Sequence, residues 1–108
     1  MSNKYGAIPT RVDGRLFASK AEARRYQELK LLQTAGEIDR LECQPRFSLV
    51  VNGLEVGSYI ADFVYWTPDG KRVVEDVRGG RATMTPAYLL KKKLMLALNG
   101  IEIVEVQA

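Results

Sequence analysis

Histidine is absent from this chain of 108 residues, and cysteine occurs once, at Cys43. The first absence removes Ser-His and Cys-His nucleophilic catalysis, histidine acid–base chemistry and most zinc enzymes. The second rules out an intrachain disulfide and any multi-cysteine zinc site. Also missing are an apolar run near the roughly 20 residues of a membrane span and a signal-peptide pattern at the start. The expectation is a cytoplasmic protein with no membrane partner. Any metal would have to be held by carboxylates and backbone oxygens, which favours Mg2+ or Mn2+.

What is present is ordinary for a globular domain, with 46% hydrophobic and 27% charged residues. At this length the simplest organisation is one domain over residues 1–108, enclosing a single modest core. Residues 1–10, with Gly6 and Pro9, look like a loose N-terminal arm. A net charge of +3 and a pI of about 9.1 are compatible with nucleic acid as a partner, but many unrelated proteins share them.

Turn signals divide the rest. Asp13-Gly14, Asn52-Gly53 and Asp69-Gly70 each separate strand-like runs. Between the first two lies a helix expected from about 20 to 34, opened by Ser19 and Glu22 in a capping-box pattern and stopped by Gly36. Ala23, Tyr26, Leu29 or Lys30, and Gln33 fall on helical spacing, with Leu31 and Leu32 widening the apolar side. Strand-like segments follow at about 45–51, 54–57, 58–66 and 72–78. A second helix over 86–98 has Thr85 as N-cap and Pro86 at its first position, with Ala87, Leu90, Leu94, Ala97 and Leu98 as the core stripe. "IEIVEV" closes the chain as a strand parallel to 72–78, because a helix joins the two. The reading is an α/β (α+β) core with a mixed sheet, in the order helix, three strands as an antiparallel meander, helix, strand.

Two carboxylates stand out. Asp62 interrupts the apolar run "YIADFVYW", where a lone charge is costly unless paired, hydrogen-bonded or on a metal. A strand-edge aspartate that reaches solvent would explain it equally well. In "VVEDVRGG", residues 73–80, alternation puts Val74, Asp76 and Arg78 on one face and Val73, Glu75 and Val77 on the other. Asp76 and Arg78 then stand about 6–7 Å apart, with Asp62 able to join them across a hairpin. A plain ion pair to Arg78 accounts for the same residues. Glu75 reads as a spectator, paired if at all with a helix lysine. Tyr59, Phe63, Tyr65 and Trp66 read as core.

Asp62 followed by Asp76-Val77-Arg78 resembles the Asp…(Asp/Glu)-x-Lys signature of the PD-(D/E)XK nuclease superfamily. "FASKAEARRY" is similar to the first-helix S-x-x-E segment of its resolvase-like and transposase-like branches, and the element order is similar to the restriction-endonuclease-like core. With Gln44-Pro45, "DVRG" and "TPAYLLKKKLM", the chain resembles a small phage-encoded family of uncharacterised domains within that superfamily, from about residue 4 to 106. The resemblance implies Asp62 and Asp76 as ligands of Mg2+ or Mn2+, helped by the Val77 carbonyl. It implies Glu22 as an outer acidic ligand or water-positioning group, Arg78 in the place of the lysine, and Gln44 along the site. A capping box accounts for Glu22 without any site.

Arginine at 78 departs from the pattern. It cannot exchange a proton, yet it can grip a phosphate through two nitrogens. Lys91 on the second helix is a candidate to compensate; a solvated lysine run explains Lys91, Lys92 and Lys93 equally. Lys20, Arg24, Arg25, Lys30 and Lys92, with Lys4, Arg11 and Arg15, could track a DNA backbone. The functions implied are a metal-dependent DNA endonuclease of phage or prophage origin acting in a bacterial cytoplasm, on branched or recombining DNA and as a homodimer if it cuts both strands, or a catalytically silent DNA- or partner-binding accessory that keeps the same fold.

Overall fold

The computed structural model describes residues 7–108; residues 1–6 of the expected arm, Lys4 among them, lie outside the described residues. A short hairpin comes first, β1 (Thr10–Val12) and β2 (Arg15–Phe17). Both turn residues take positive φ, Asp13 at 52° and Gly14 at 74°, as a two-residue hairpin loop requires. Helix α1 (Lys20–Thr34) follows, with the Ser19 hydroxyl accepting the Glu22 amide at 3.1 Å. It buries Ala23, Tyr26 and Leu29, as expected, and leaves Leu31 exposed.

Strand β3 (Asp39–Cys43) was not expected. "DRLEC" has no apolar alternation, because the strand is held at a sheet edge with a register shift between Asp39 and Glu42. Arg40 takes φ of 55° within that irregularity and lays its guanidinium 4.6 Å from the centroid of the Trp66 ring. Next come β4 (Arg46–Val51), β5 (Leu54–Ile60), β6 (Phe63–Trp66) and β7 (Arg72–Arg78). A single 3-10 turn at Arg81–Thr83 leads to α2 (Pro86–Asn99), and β8 (Val104–Gln107) ends the described chain.

The meander is broken. β4 and β5 pair only with each other, while the main sheet has the order β3-β6-β7-β8. The break falls at Ala61 and Asp62, where the chain leaves one sheet and enters the other. Three backbone bonds fasten the crossing: Ala61 N–H to Pro45 O, Asp62 N–H to Glu75 O, and Gln44 N–H to Asp62 O. The run 58–66 looks like one buried strand because both sheets bury it, and Asp62 stands at the step between them. β7 and β8 are parallel, as the intervening helix requires.

The main sheet is covered on both faces. One face carries α1 and the first hairpin over Phe17, Leu29, Phe63 and Tyr65; the other carries α2 and the β4–β5 hairpin over Leu49, Tyr59, Val64, Val74 and Met95. On α2 the buried residues are Tyr88 and Met95, seven apart, with Leu94 partly buried. The stripe expected from sequence is therefore rotated: Ala87, Leu90, Ala97 and Leu98 are exposed. A helix with apolar residues on most of its circumference leaves the choice of face to its neighbours, and the largest reach goes to Tyr and Met. Met95 is fully buried, so Met95→Ala is expected to cost about 3 kcal/mol in urea unfolding. No helix among the described residues is long and apolar enough to cross a membrane.

Candidate functional site

The carboxyl end of β7, the first turn of α1, the step at Asp62 and α2 converge on an open pocket of about 980 Å³. Glu22, Asp62, Asp76, Val77, Arg78 and Lys91 all line it, with Lys20 and Arg24 at its border. Residues far apart in sequence and singled out there are thus brought to one place. Gln44 is not. It is exposed at the turn into β4 with φ of 58°, and its backbone amide, bonded to the Asp62 carbonyl, is what serves this region. Lys92 is turned toward β8, where its ammonium pairs with Glu105 at 3.0 Å.

Each carboxylate has a distinct setting. The Val77 amide donates to Asp62 Oδ2 at 2.7 Å, so β7 holds this side chain at the step between β5 and β6. Asp62 and Glu22 are near enough for each to shift the other. Burial, then the negative charges of Glu22 and Asp76, push the Asp62 carboxyl up to about 8. Burial also raises Glu22, against the hydrogen bonds it makes to Asp62 and Ser19. The Ser19 hydroxyl, which caps α1, also donates to Glu22 Oε2 at 3.3 Å, so the cap and the pocket carboxyl are joined.

Asp76, almost fully buried, accepts on both oxygens. Arg78 Nε donates to Oδ1 at 2.7 Å, and the Tyr59 hydroxyl donates to Oδ2. Arg78 is fixed twice more: Nη1 donates to the Thr83 carbonyl, and the guanidinium stacks 3.4 Å from the centroid of the Tyr88 ring. Burial opposes its charge, and the hydrogen bond and attraction of Asp76 outweigh that opposition. The ion pair weighed from sequence is therefore present, in a half-buried form tied into a network. Tyr88 in turn donates to Glu105 at 2.7 Å, extending the network to β8.

Over residues 2–98 the chain matches the family model described as "Protein of unknown function (DUF1064)". The chain belongs to the DUF1064 family. No curated protein and no solved structure matches it.

Two pocket residues of this DUF1064 chain escaped sequence reasoning. Tyr59 and Tyr88 both belong to the buried core, as expected of Tyr59, and their hydroxyls also reach the pocket network. The available signal was tyrosine where phenylalanine would fill the space, since a buried hydroxyl needs a partner. Burial and then Asp76 push the Tyr59 hydroxyl well above its usual range, so it remains a donor. Arg25 departs from expectation in the other direction. It does not face outward to track a phosphate backbone; it binds Glu75 through Nε at 2.9 Å and Nη2 at 2.7 Å. Glu75 is correspondingly no spectator. It is 1% exposed, and its partner is an arginine of the first helix rather than a lysine.

Among the described residues, no group of three acidic or cysteine side chains forms a ready metal-ligand shell. A two-carboxylate opening suits Mg2+ better in any case, since that ion keeps several waters and takes substrate oxygens as further ligands. Glu22 and Asp62 are two interacting carboxyl groups of the pocket, each raised by burial. Carboxylate oxygens are the donor type that a small hard divalent cation takes.

Proposed function

We propose that this chain is a divalent-metal-dependent DNA endonuclease of the PD-(D/E)XK type, with a restriction-endonuclease-like core formed by α1, the strands through β7, α2 and β8. The observation that carries the reading is the gathering of Glu22, Asp62, Asp76 and Arg78 in one pocket at the end of β7, bordered by Lys20, Arg24 and Lys91. In this reading Asp62, Asp76 and Glu22, with the Val77 carbonyl, hold Mg2+ or Mn2+. A bound ion of this kind acidifies a water and relieves charge on the attacked phosphate. The chain's own residues position the substrate. Arg78, fixed by Asp76, Thr83 and Tyr88, presents a permanent positive charge to a phosphate without exchanging a proton. Lys91, Lys20 and Arg24 draw the flanking backbone toward the pocket. Phage or prophage origin, action in a bacterial cytoplasm, and a homodimer for cutting both strands complete the proposal.

A second reading has its own observation. The guanidinium of Arg78 is already engaged on three sides, which suits a site that neutralises its own carboxylates and only binds DNA or a partner. Incubating plasmid and four-way-junction DNA with the protein, with and without Mg2+ or Mn2+, separates the two. The nuclease reading expects metal-dependent cleavage that falls by about a hundred-fold or more in Asp76→Asn. Cleavage that persists in Asp62→Ala and Asp76→Ala sinks it. Salt-sensitive DNA binding with no response to metal selects the silent module.

A further inference from the structure

Glu75 and Asp76 are neighbours in β7 and point to opposite faces of the main sheet. Asp76 belongs to the pocket, while Glu75 is buried on the side where α1 packs. Both oxygens of Glu75 are taken by the Arg25 guanidinium in a two-nitrogen fork, and the Tyr65 hydroxyl from β6 donates to Oε2. Arg25 lies three residues after Glu22 on α1, so both project from the same side of the helix one turn apart. Apart from the contact of Glu22 with Asp62, the other directional bonds from α1 go elsewhere. Tyr26 donates to Asp13 in the first hairpin, and Gln33 accepts the Leu41 amide at the far edge of the sheet. Among the described residues, the hydrogen bonds from α1 to β7 are those of Arg25. The buried apolar residues of α1, Ala23, Tyr26 and Leu29, share a core cluster with Val73 and Val77 of β7, and attraction of that kind is non-directional.

We infer that the Arg25–Glu75–Tyr65 cluster is a positioning latch, which sets the rotation and height of α1 on β7 and so holds Glu22 against Asp62. The inference deepens the nuclease reading and rests on it for the purpose of that placement. Arg25 touches neither substrate nor metal in this scheme; it acts through Glu22. A fork that buries its carboxylate in this way is a poor choice for stability alone, because apolar groups of similar volume serve as well or better. What it supplies is direction: a planar guanidinium accepts its carboxylate partner in one plane and at one spacing.

The test uses Arg25→Lys, which leaves Glu75 a cation and so protects folding while losing the fork, alongside Arg25→Met. Residual dipolar couplings on the metal-free protein read the orientation of α1 against β7 directly. Both variants are expected to tilt or rotate α1, Arg25→Met more so; an unchanged orientation in a folded variant overturns the latch. Mn2+ binding is then measured for each variant with Glu22 intact and with Glu22→Gln. The expected loss is about ten-fold when Glu22 is present and none beyond that of Glu22→Gln when it is absent. Equal losses in both backgrounds overturn action through Glu22. If the unmodified chain binds no Mn2+, the nuclease reading fails, and the latch is decided by the couplings alone.

Discussion

Asp62→Asn is expected to raise the stability of the metal-free protein at pH 8 while removing any response to Mg2+. The carboxyl is buried, faces Glu22 and feels Asp76, and its pKa stands at about 8 against an ordinary 3.8. In the unfolded chain it ionises near the ordinary value, so between about pH 4 and pH 8 the native state holds a proton that the unfolded state has released. Raising the pH through that window therefore favours unfolding, and stability falls until the native carboxyl also ionises, after which the slope disappears. Asparagine keeps an oxygen for the Val77 amide and carries no charge to bury. The gain is about 2 kcal/mol, worth roughly 10 °C of melting temperature in a domain of this size. Thermal scans from pH 4 to 9 check it: the mutant should lose the downward slope of the parent. Mg2+ should stabilise only the parent, since an ion that binds the native state alone must raise its melting point. A mutant that melts lower, or keeps the slope, contradicts the mutual repulsion of these carboxylates.

Arg25→Met is expected to be the most destabilising change outside the apolar core. It strands Glu75, which is 1% exposed, with the Tyr65 hydroxyl as its remaining donor. Removing one partner of a buried pair costs about 3 kcal/mol, since the other charge has nowhere to go. Adding Glu75→Gln to the same chain should return more than half of that loss, because the amide is uncharged and its oxygen still accepts from Tyr65. Urea unfolding of the two single variants and the double variant measures the recovery. Costs that simply add would show that the pair is not coupled and that Glu75 is stabilised by something else.

Much of this was legible beforehand where local rules act alone. The bounds of α1, the Ser19 and Thr85 caps, and the parallel β7–β8 pair all follow from capping chemistry, periodicity and crossover geometry. Asp62, Asp76 and Arg78 could be grouped because strand alternation is local, and they do line one pocket. The failures share a cause, which is that neighbours decide. β3 is an edge strand with polar residues that only a partner makes regular, and α2 is apolar around most of its surface, so its buried face is set by the sheet beneath it. Alternation correctly put Glu75 opposite Asp76 but could not say what waited on the far side. Arg25 was read as a surface cation because nothing local marks a guanidinium that lies across from a carboxylate 50 positions away.

The back-to-back placement of Glu75 and Asp76 also bears on how the chain tolerates error. A one-residue slip of β7 would exchange the two faces, carrying Asp76 under α1 and Glu75 into the pocket. Arg25 would stay in place on α1, but Arg78 belongs to β7 and would change faces with it, so Glu75 would enter the pocket without the counter-ion that Asp76 has there. Under α1, Asp76 would be one methylene shorter than the Glu75 it replaced, set back from the Arg25 fork and the Tyr65 hydroxyl. The shifted register is thus penalised on both faces. An insertion or deletion within β7 is accordingly expected to fail as a folding error before it fails as a functional one.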